Sequence, residues 1–553
     1  MSDPGDVDLD ELFPFEEYRP MQRDTLEAAH RELQGDRFDN IVIDAPTGVG
    51  KSPLNVALCR TEDSAFYTTP QKKLREQLEN DETLSQHYQV LKARRDYKCG
   101  ATGENCKECS INLDPSIQCS EMDRCTYWNA KETAMNADIA VTTFAYLILD
   151  RELPAQSQNE NGATTRISFR DQRDIIVVDE CHSLASQVAN LHAGFEIGPW
   201  TLPPEVFRNE TANRDYSNVE RHQQVEGLVE RMHDRVKRFL AEHGNDEKRH
   251  YDLKLCKEFM RKHNWFSTET ETMDRQWVVE TQDVMDRDKN NEIQKVIIKP
   301  VKVDNFLRRY VWSRGENRIL STATAPYRGN TEKWCYELGL DPDRTKFLRV
   351  GMPIDADRRK IHTDTIIDTF SSGGDDENWA EIMSSLNDLA GKHEGEKGLV
   401  HTASYSRARR VQETVNEDES RYPNLTGNIM LHRGDRGASD DVFVSDWQRS
   451  ERDIALSPSM AEGVDLVGDQ CRWQVLLKVP YPFMGGARVK YLTQEENRWD
   501  WYYEMTAVRT IQSAGRAVRG LDDYADYYVL DGSFNSLRNR VEFPPWYTEA
   551  IVS

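Results

Sequence analysis

Apolar runs of strand length alternate with amphipathic stretches of helical period over residues 40–180 and again over residues 398–534. That alternation predicts two α/β domains with parallel sheets, each strand returning through a crossover helix. Ile41-Val42-Ile43 and Ile175-Ile176-Val177-Val178 are the clearest buried-strand runs. Two insertions interrupt the first domain. Residues 94–131 are rich in cysteine and poor in periodicity. Residues 191–312 carry helical patterns at 219–242 and 254–263, then a strand pair at 277–281 and 295–299. The chain then returns to the first core at Arg318-Ile319-Leu320-Ser321. Gly, Ser, Asn and Asp crowd residues 156–165 and 371–378, which read as flexible connections.

The chemistry begins where the first strand run ends, at Asp44-Ala45-Pro46-Thr47-Gly48-Val49-Gly50-Lys51-Ser52. A glycine loop between strand and helix turns its backbone N–H groups toward an anion, with Thr47, Gly48 and Gly50 forming the cradle. Lys51 supplies a point charge for the β- and γ-phosphates, and the Ser52 hydroxyl is a ligand for Mg²⁺. Ala45 stands where the strict pattern has glycine. The second run ends in Asp179-Glu180-Cys181-His182. There Asp179 suits the Mg²⁺ of bound ATP, and Glu180 suits the water that attacks the γ-phosphate. Near the C-terminus, Gln512, Arg516 and Arg519 recur at helical steps of four and three, predicting one helix face. Two guanidiniums presented across a domain cleft suit the charge that develops on a transferring phosphoryl group.

Composition narrows the setting. At 553 residues the chain has room for several domains, and 95 Asp+Glu against 71 Lys+Arg give a net charge of −24. Arg outnumbers Lys by roughly two to one, so the surface reads as adapted to high salt, where excess acid maintains solubility. Under such salt, counterion release contributes little to nucleic-acid affinity, and stacking, hydrogen bonds and shape carry the binding. No segment reads as a signal peptide or a membrane span, so a cytoplasmic protein is expected. No separate cluster of carboxylates suggests a two-metal nuclease.

Five of the ten cysteines fall in one window, Cys99-x6-Cys106-x2-Cys109-x9-Cys119-x5-Cys125. Thiols so clustered in a reducing compartment point to metal, and the spacing allows either structural zinc or an iron–sulfur cluster. The flanks, residues 91–99 and 125–131, resemble the edges of the [4Fe–4S] domain in superfamily 2 DNA helicases of the XPD/DinG family. The order of phosphate loop, cysteine insertion and Asp-Glu-x-His element is similar too. Further resemblances follow in order: Phe15 to Gln22 to the adenine-reading entry motif, and Thr68-Thr69-Pro70-Gln71 with Thr142-Thr143 to phosphate-touching elements. Ser321-Thr322-Ala323-Thr324 is similar to the coupling motif. His401-Thr402 stands where the family has an aromatic pair, and residues 459–465 resemble the element that touches both nucleic acid and nucleotide.

The resemblance implies an α/β fold of two RecA-like motor domains, the first carrying an Fe–S insertion and a helical, arch-like insertion. It divides the chain into motor domain 1 (1–93, 132–190, 313–344), Fe–S domain (94–131), arch (191–312) and motor domain 2 (345–553). It further implies an ATP-dependent helicase, moving 5′→3′ on single-stranded and forked DNA as a monomer, in repair or replication. The chain is expected to be haloarchaeal or from a halophilic mobile element. Gln22, Gly463 and Asp465 would contact the nucleotide, Glu180, Lys51, Gln512, Arg516 and Arg519 would serve hydrolysis, and Ser52 and Asp179 would hold Mg²⁺. Cys99, Cys106, Cys109 and Cys125 would hold the cluster, with Cys119 the alternative ligand. A translocase without productive unwinding is the first rival reading, and a non-catalytic clamp, which would not need Lys51 or Glu180, the second.

Overall fold

The computed structural model describes residues 7–70, 72–106, 122–152, 172–192, 194–211, 222–244, 246–272, 277–285, 292–326, 330–367, 378–432, 440–458 and 466–552. Cys109, Cys119, Gly463, Asp465, the 156–165 stretch and nearly all of 371–378 lie outside these residues.

The first parallel sheet contains β1 (Asn40–Asp44), β2 (Ala65–Thr69), β3 (Gln89–Val90), β4 (Ile139–Thr143) and β5 (Arg173–Val178). A small antiparallel sheet follows, of β6 (Phe195–Ile197), β7 (Trp277–Met285) and β8 (Glu292–Pro300), and then the chain re-enters the first sheet as β9 (Gly315–Thr322) and β10 (Thr345–Arg349). The second parallel sheet contains β11 (Ile361–His362), β12 (Gly398–His401), β13 (Ile429–Leu431), β14 (Ile454–Ser457), β15 (Trp473–Leu476), β16 (Asp526–Val529) and β17 (Ile551–Val552). The described strands run β10-β1-β9-β5-β2-β4-β3 in the first sheet and β13-β14-β12-β15-β16-β11-β17 in the second. Because β10 pairs with β1 from Thr345 to Arg349, the chain leaves the first sheet after Arg349, past the expected boundary at 344.

Strand residues alternate between two cores, as period-two geometry requires when both sheet faces are covered. Ile41, Ile43, Tyr67, Val141, Ile175, Val177 and Ile319 pack on one side with Leu54 and Leu58 of the Lys51–Cys59 helix. Val42, Phe66, Ala140, Ile176, Val178 and Leu320 face the other side. Arg173, at the start of β5, is 7% exposed and its guanidinium donates to the carbonyls of Ala65, Ala137, Asp138, Ala134 and Met135 at 2.8–3.1 Å. It thereby closes the carbonyl end of the Thr126–Asn136 helix against the sheet. Arg173→Met should lower unfolding free energy by about 3 kcal/mol, because several carbonyls lose a charged donor. Denaturant titration reads the effect, and an unchanged midpoint would show that the carbonyls find other partners.

The second insertion contains two long helices, His222–His243 and His250–Thr272, close to the expected patterns, and the expected strand pair, which is antiparallel, with Trp277 opposite Pro300 and Thr281 opposite Val296. Its hairpin does not stay with the first sheet alone. Val278 and Val301 pack against Leu492, Glu280 Oε1 accepts from the Ala487 amide at 3.0 Å, and Arg488 Nε donates to the Val301 carbonyl at 3.2 Å. Nearby, Lys333 Nζ meets Asp500 at 2.8 Å and Arg498 meets Glu337 at 2.5 Å, so ion pairs join the two halves of the chain. Among the described residues no helix is long and apolar enough to cross a membrane.

Candidate nucleotide-binding cleft

The carboxyl ends of β1, β9 and β5 lie side by side, with Asp44 in register with Thr322 and Val178 with Leu320. Parallel α/β sheets place ligands at this edge. Gly48 (φ 92°) and Gly50 (φ 84°) both take left-handed backbone as the loop turns into the Lys51–Cys59 helix. Asp44, 2% exposed, steadies the loop's base by accepting from Arg349 Nη1 at 2.6 Å and from the Ala325 amide at 3.2 Å. A cavity of about 350 Å³ opens above the loop, and Thr47, Lys51, Ser52, Asp179, Glu180, Gln512, Arg516 and Arg519 all line it. The structure therefore gathers the cradle, the acidic pair and the late guanidiniums from both sheets at one place.

Lys51 Nζ lies 3.6 Å from Glu180 Oε1 and 3.3 Å from the Ala45 carbonyl. Burial would raise the Glu180 carboxyl, but Lys51, followed by His182, Arg516 and Arg519, holds it below the usual carboxylate range. Asp179 moves the other way, pushed up to about 6 by burial first and by the Glu180 charge second. The Tyr67 hydroxyl donates to Asp179 Oδ2 at 3.0 Å and is also hydrogen-bonded to Ser52, so both Mg²⁺-ligand candidates converge on one phenol. Behind it, Asn55 Nδ2 donates to the Tyr67 oxygen at 3.3 Å and Ser321 Oγ donates to Asn55 Oδ1 at 2.6 Å. A buried polar chain thus links Ser321 at the end of β9 to Asp179 at the end of β5. Glu180 itself takes left-handed backbone, φ 48°, an uncommon state for a non-glycine residue.

His182 spans the cleft. Its Nδ1 lies 3.3 Å from Glu180 Oε2 and 3.2 Å from Thr322 Oγ1, and its Nε2 lies 2.5 Å from Gln512 Nε2. A proton on Nδ1 serves the carboxylate and leaves Nε2 to accept from the Gln512 amide. The helix bearing Gln512, Trp499–Ala514, stops two residues short of Arg516, so the expected single helix face across Gln512, Arg516 and Arg519 is not formed. The reason is local: Gly515, a poor helix former, is the C-cap where the helix ends, and it packs against Thr47, where an added Cβ would sit 3.0 Å from the hydroxyl. Arg516 and Arg519 reach the cavity from that turn, and Arg516 Nε donates to the Gln512 carbonyl at 3.1 Å.

Other expected contacts are spent inside the fold. Gln22 is 1% exposed; its Nε2 donates to the carbonyls of Val49 and Gly50 at 2.8 and 3.1 Å, and its Oε1 accepts from the Arg19 amide at 2.7 Å. It braces the phosphate loop from below. Thr68 and Thr142 are buried and donate to the carbonyls of Val177 and Leu91. His401 is buried beside Gln474, and burial pushes its imidazole down to about 4, so it is a neutral core group. Sequence reasoning missed Asp44, Asn55, Tyr67 and the His182–Gln512 contact. The polar Asp44 and Asn55 beside apolar strand and helix positions were the available signal.

Of the clustered cysteines, the described Cys99, Cys106 and Cys125 form a compact knuckle. Lys98 bridges Asn105, the Cys99 amide donates to the Glu104 carbonyl, and the Cys106 amide donates to the Tyr97 carbonyl. Cys125 caps the Thr126–Asn136 helix, and Gly100 lets the two arms meet, since a Cβ there would lie 2.1 Å from the Arg124 carbonyl. A hydrogen bond from Cys106 foremost, with the helix amides of Trp128 and Tyr127, brings the Cys125 thiol down to about 6. Cys99 is lowered too, chiefly by Thr102. Thiols held near their thiolate form suit a metal or iron–sulfur centre.

Two parallel-stranded sheets with this cleft between them make an α/β fold of two RecA-like domains, the fold of the XPD structures that superpose on it. Residues 388–550 match the helicase C-terminal domain family, and residues 16–200 match the family of the type III restriction enzyme res subunit. The chain is similar to the ATP-dependent DNA helicase chl1 of Schizosaccharomyces pombe, 31% identical over 130 residues, which cover 22% of this chain and 14% of that protein. The match thus spans about one seventh of that relative's length. An XPD helicase structure superposes over 97% of this chain and 98% of its own, with a TM-score of 0.59 at 15% identity. An apo XPD structure covers 96% of this chain and 98% of its own, with a TM-score of 0.55 at 16% identity.

Proposed function

We propose that this chain is an ATP-driven DNA helicase that translocates 5′→3′ on single-stranded DNA and opens duplexes ahead of it. The observation that carries the reading is the placement of Lys51, Glu180 and Arg516 around one cavity of about 350 Å³ fed by both sheets. Lys51 and the loop amides bind the phosphates, Glu180 orients the attacking water, and Arg516 with Arg519 meets the charge developing on the γ-phosphate. Ser52 and Asp179 would hold Mg²⁺, which would supply positive charge to offset that of the β- and γ-phosphates. The His182–Gln512 contact joins the two sides of the cleft and would break if it opened.

Cys99, Cys106 and Cys125, with Cys109 or Cys119 as the fourth ligand, would hold a [4Fe–4S] cluster whose part is to make the insertion a rigid wedge. The acid excess supports work at high salt, as a monomer in DNA repair or replication.

The test is strand displacement at molar KCl, with ATP and Mg²⁺, on matched duplexes bearing either a 5′ or a 3′ single-stranded tail. Only the 5′-tailed duplex should open. Opening of the 3′-tailed duplex would reverse the polarity, and DNA-stimulated ATP hydrolysis without opening of either would replace the helicase with a translocase.

A further inference from the structure

The two long helices of the second insertion meet through an apolar seam that includes Leu228, Val229, Met232, Val236, Cys256 and Phe259. A polar cluster interrupts it. Glu230 and His233 stand one turn apart on the His222–His243 helix, and His263 comes from the His250–Thr272 helix. One ligand atom from each lies within 4.8 Å of the other two. His263 Nε2 is 2.8 Å from Glu230 Oε1, and His233 Nδ1 is 3.7 Å from Glu230 Oε2. The two imidazoles stack with centroids 3.5 Å apart and planes 5° from parallel. His233 and His263 are 8% and 5% exposed, while Glu230 opens to solvent.

Stacked, buried imidazoles cannot both carry a proton without strong repulsion. Neutral imidazole is the metal-binding form. Two imidazole nitrogens with one carboxylate oxygen form a donor set for zinc and its neighbours, whereas Mg²⁺ and Ca²⁺ prefer oxygen throughout. The Ser267 hydroxyl lies 3.5 Å from His263 Nδ1 and 3.4 Å from its Nε2, one turn along the same helix.

We propose that Glu230, His233 and His263 bind one divalent transition-metal ion, zinc being the fitting one, and that the ion staples the two insertion helices together. A small rotation of each ring turns both nitrogens onto a common point, and water completes the coordination on the open Glu230 side. The ion takes the place of the proton between His263 and Glu230. None of these residues lines the nucleotide cleft.

The test is zinc K-edge X-ray absorption on the full-length, iron-loaded protein after addition of one equivalent of zinc chloride. A nitrogen and oxygen shell at about 2.0–2.1 Å without sulfur is expected. Glu230→Gln, a change at an exposed position, and His263→Gln should each weaken zinc binding by about 100-fold, with ATP hydrolysis unchanged. A sulfur shell near 2.3 Å would assign the ion to the cysteines and overturn the proposal, as would equal zinc affinity in wild type and Glu230→Gln.

Discussion

Lys51→Ala should reduce ATP turnover by at least about 1,000-fold while leaving the protein folded. Two losses combine. The phosphates lose the positive charge at the head of the loop, and Glu180 loses the charge that does most to hold its carboxyl ionised, 3.6 Å away. Without Lys51 the Glu180 carboxyl moves up, so any residual activity should rise more steeply with pH than in the wild type. Phosphate release against pH, with circular dichroism to confirm the fold, measures both effects. Turnover within a factor of about ten of wild type would place the phosphate site elsewhere.

Arg516→Ala should separate binding from chemistry. A guanidinium that meets charge only in the transition state contributes about 10³–10⁵ in kcat and little to nucleotide affinity. Arg516 also has structural contacts, through the Gln512 carbonyl and the Leu466 amide, so a purely structural role is the competing account. The Leu466 contact uses the backbone carbonyl of Arg516 and survives truncation. Arg516→Lys keeps the charge but loses the planar fork, and should recover only part of kcat. Equal loss of nucleotide binding and melting temperature in both variants would make Arg516 a packing residue.

Strands and loop chemistry were legible in the sequence because they are local. Ile41-Val42-Ile43 and the glycines after it specify strand, turn and helix within a dozen residues. The insertion helices and the β7–β8 pair were legible for the same reason. What periodicity could not carry was the partner of each polar group. Gln22 looked free to read a base, yet its amide is occupied by carbonyls of residues 49 and 50. Arg516 and Arg519 fit a helical face by spacing, but the helix ends at Ala514 with Gly515 as its C-cap. The chain from Ser321 through Asn55 and Tyr67 to Asp179 joins residues far apart in sequence, and no single-sequence pattern encodes that meeting.

The insertion hairpin is covalently part of the first domain, but its edge is held by the second through Glu280, Val301 and Leu492. Rotation of one sheet relative to the other cannot preserve both attachments. Either the Ala487 and Arg488 hydrogen bonds break, or the hairpin and the two helices behind it are carried along. If the proposed hydrolysis cycle rotates one sheet against the other, the insertion would act as a lever with its fulcrum at the domain junction, turning small angular changes into larger displacements at its tip.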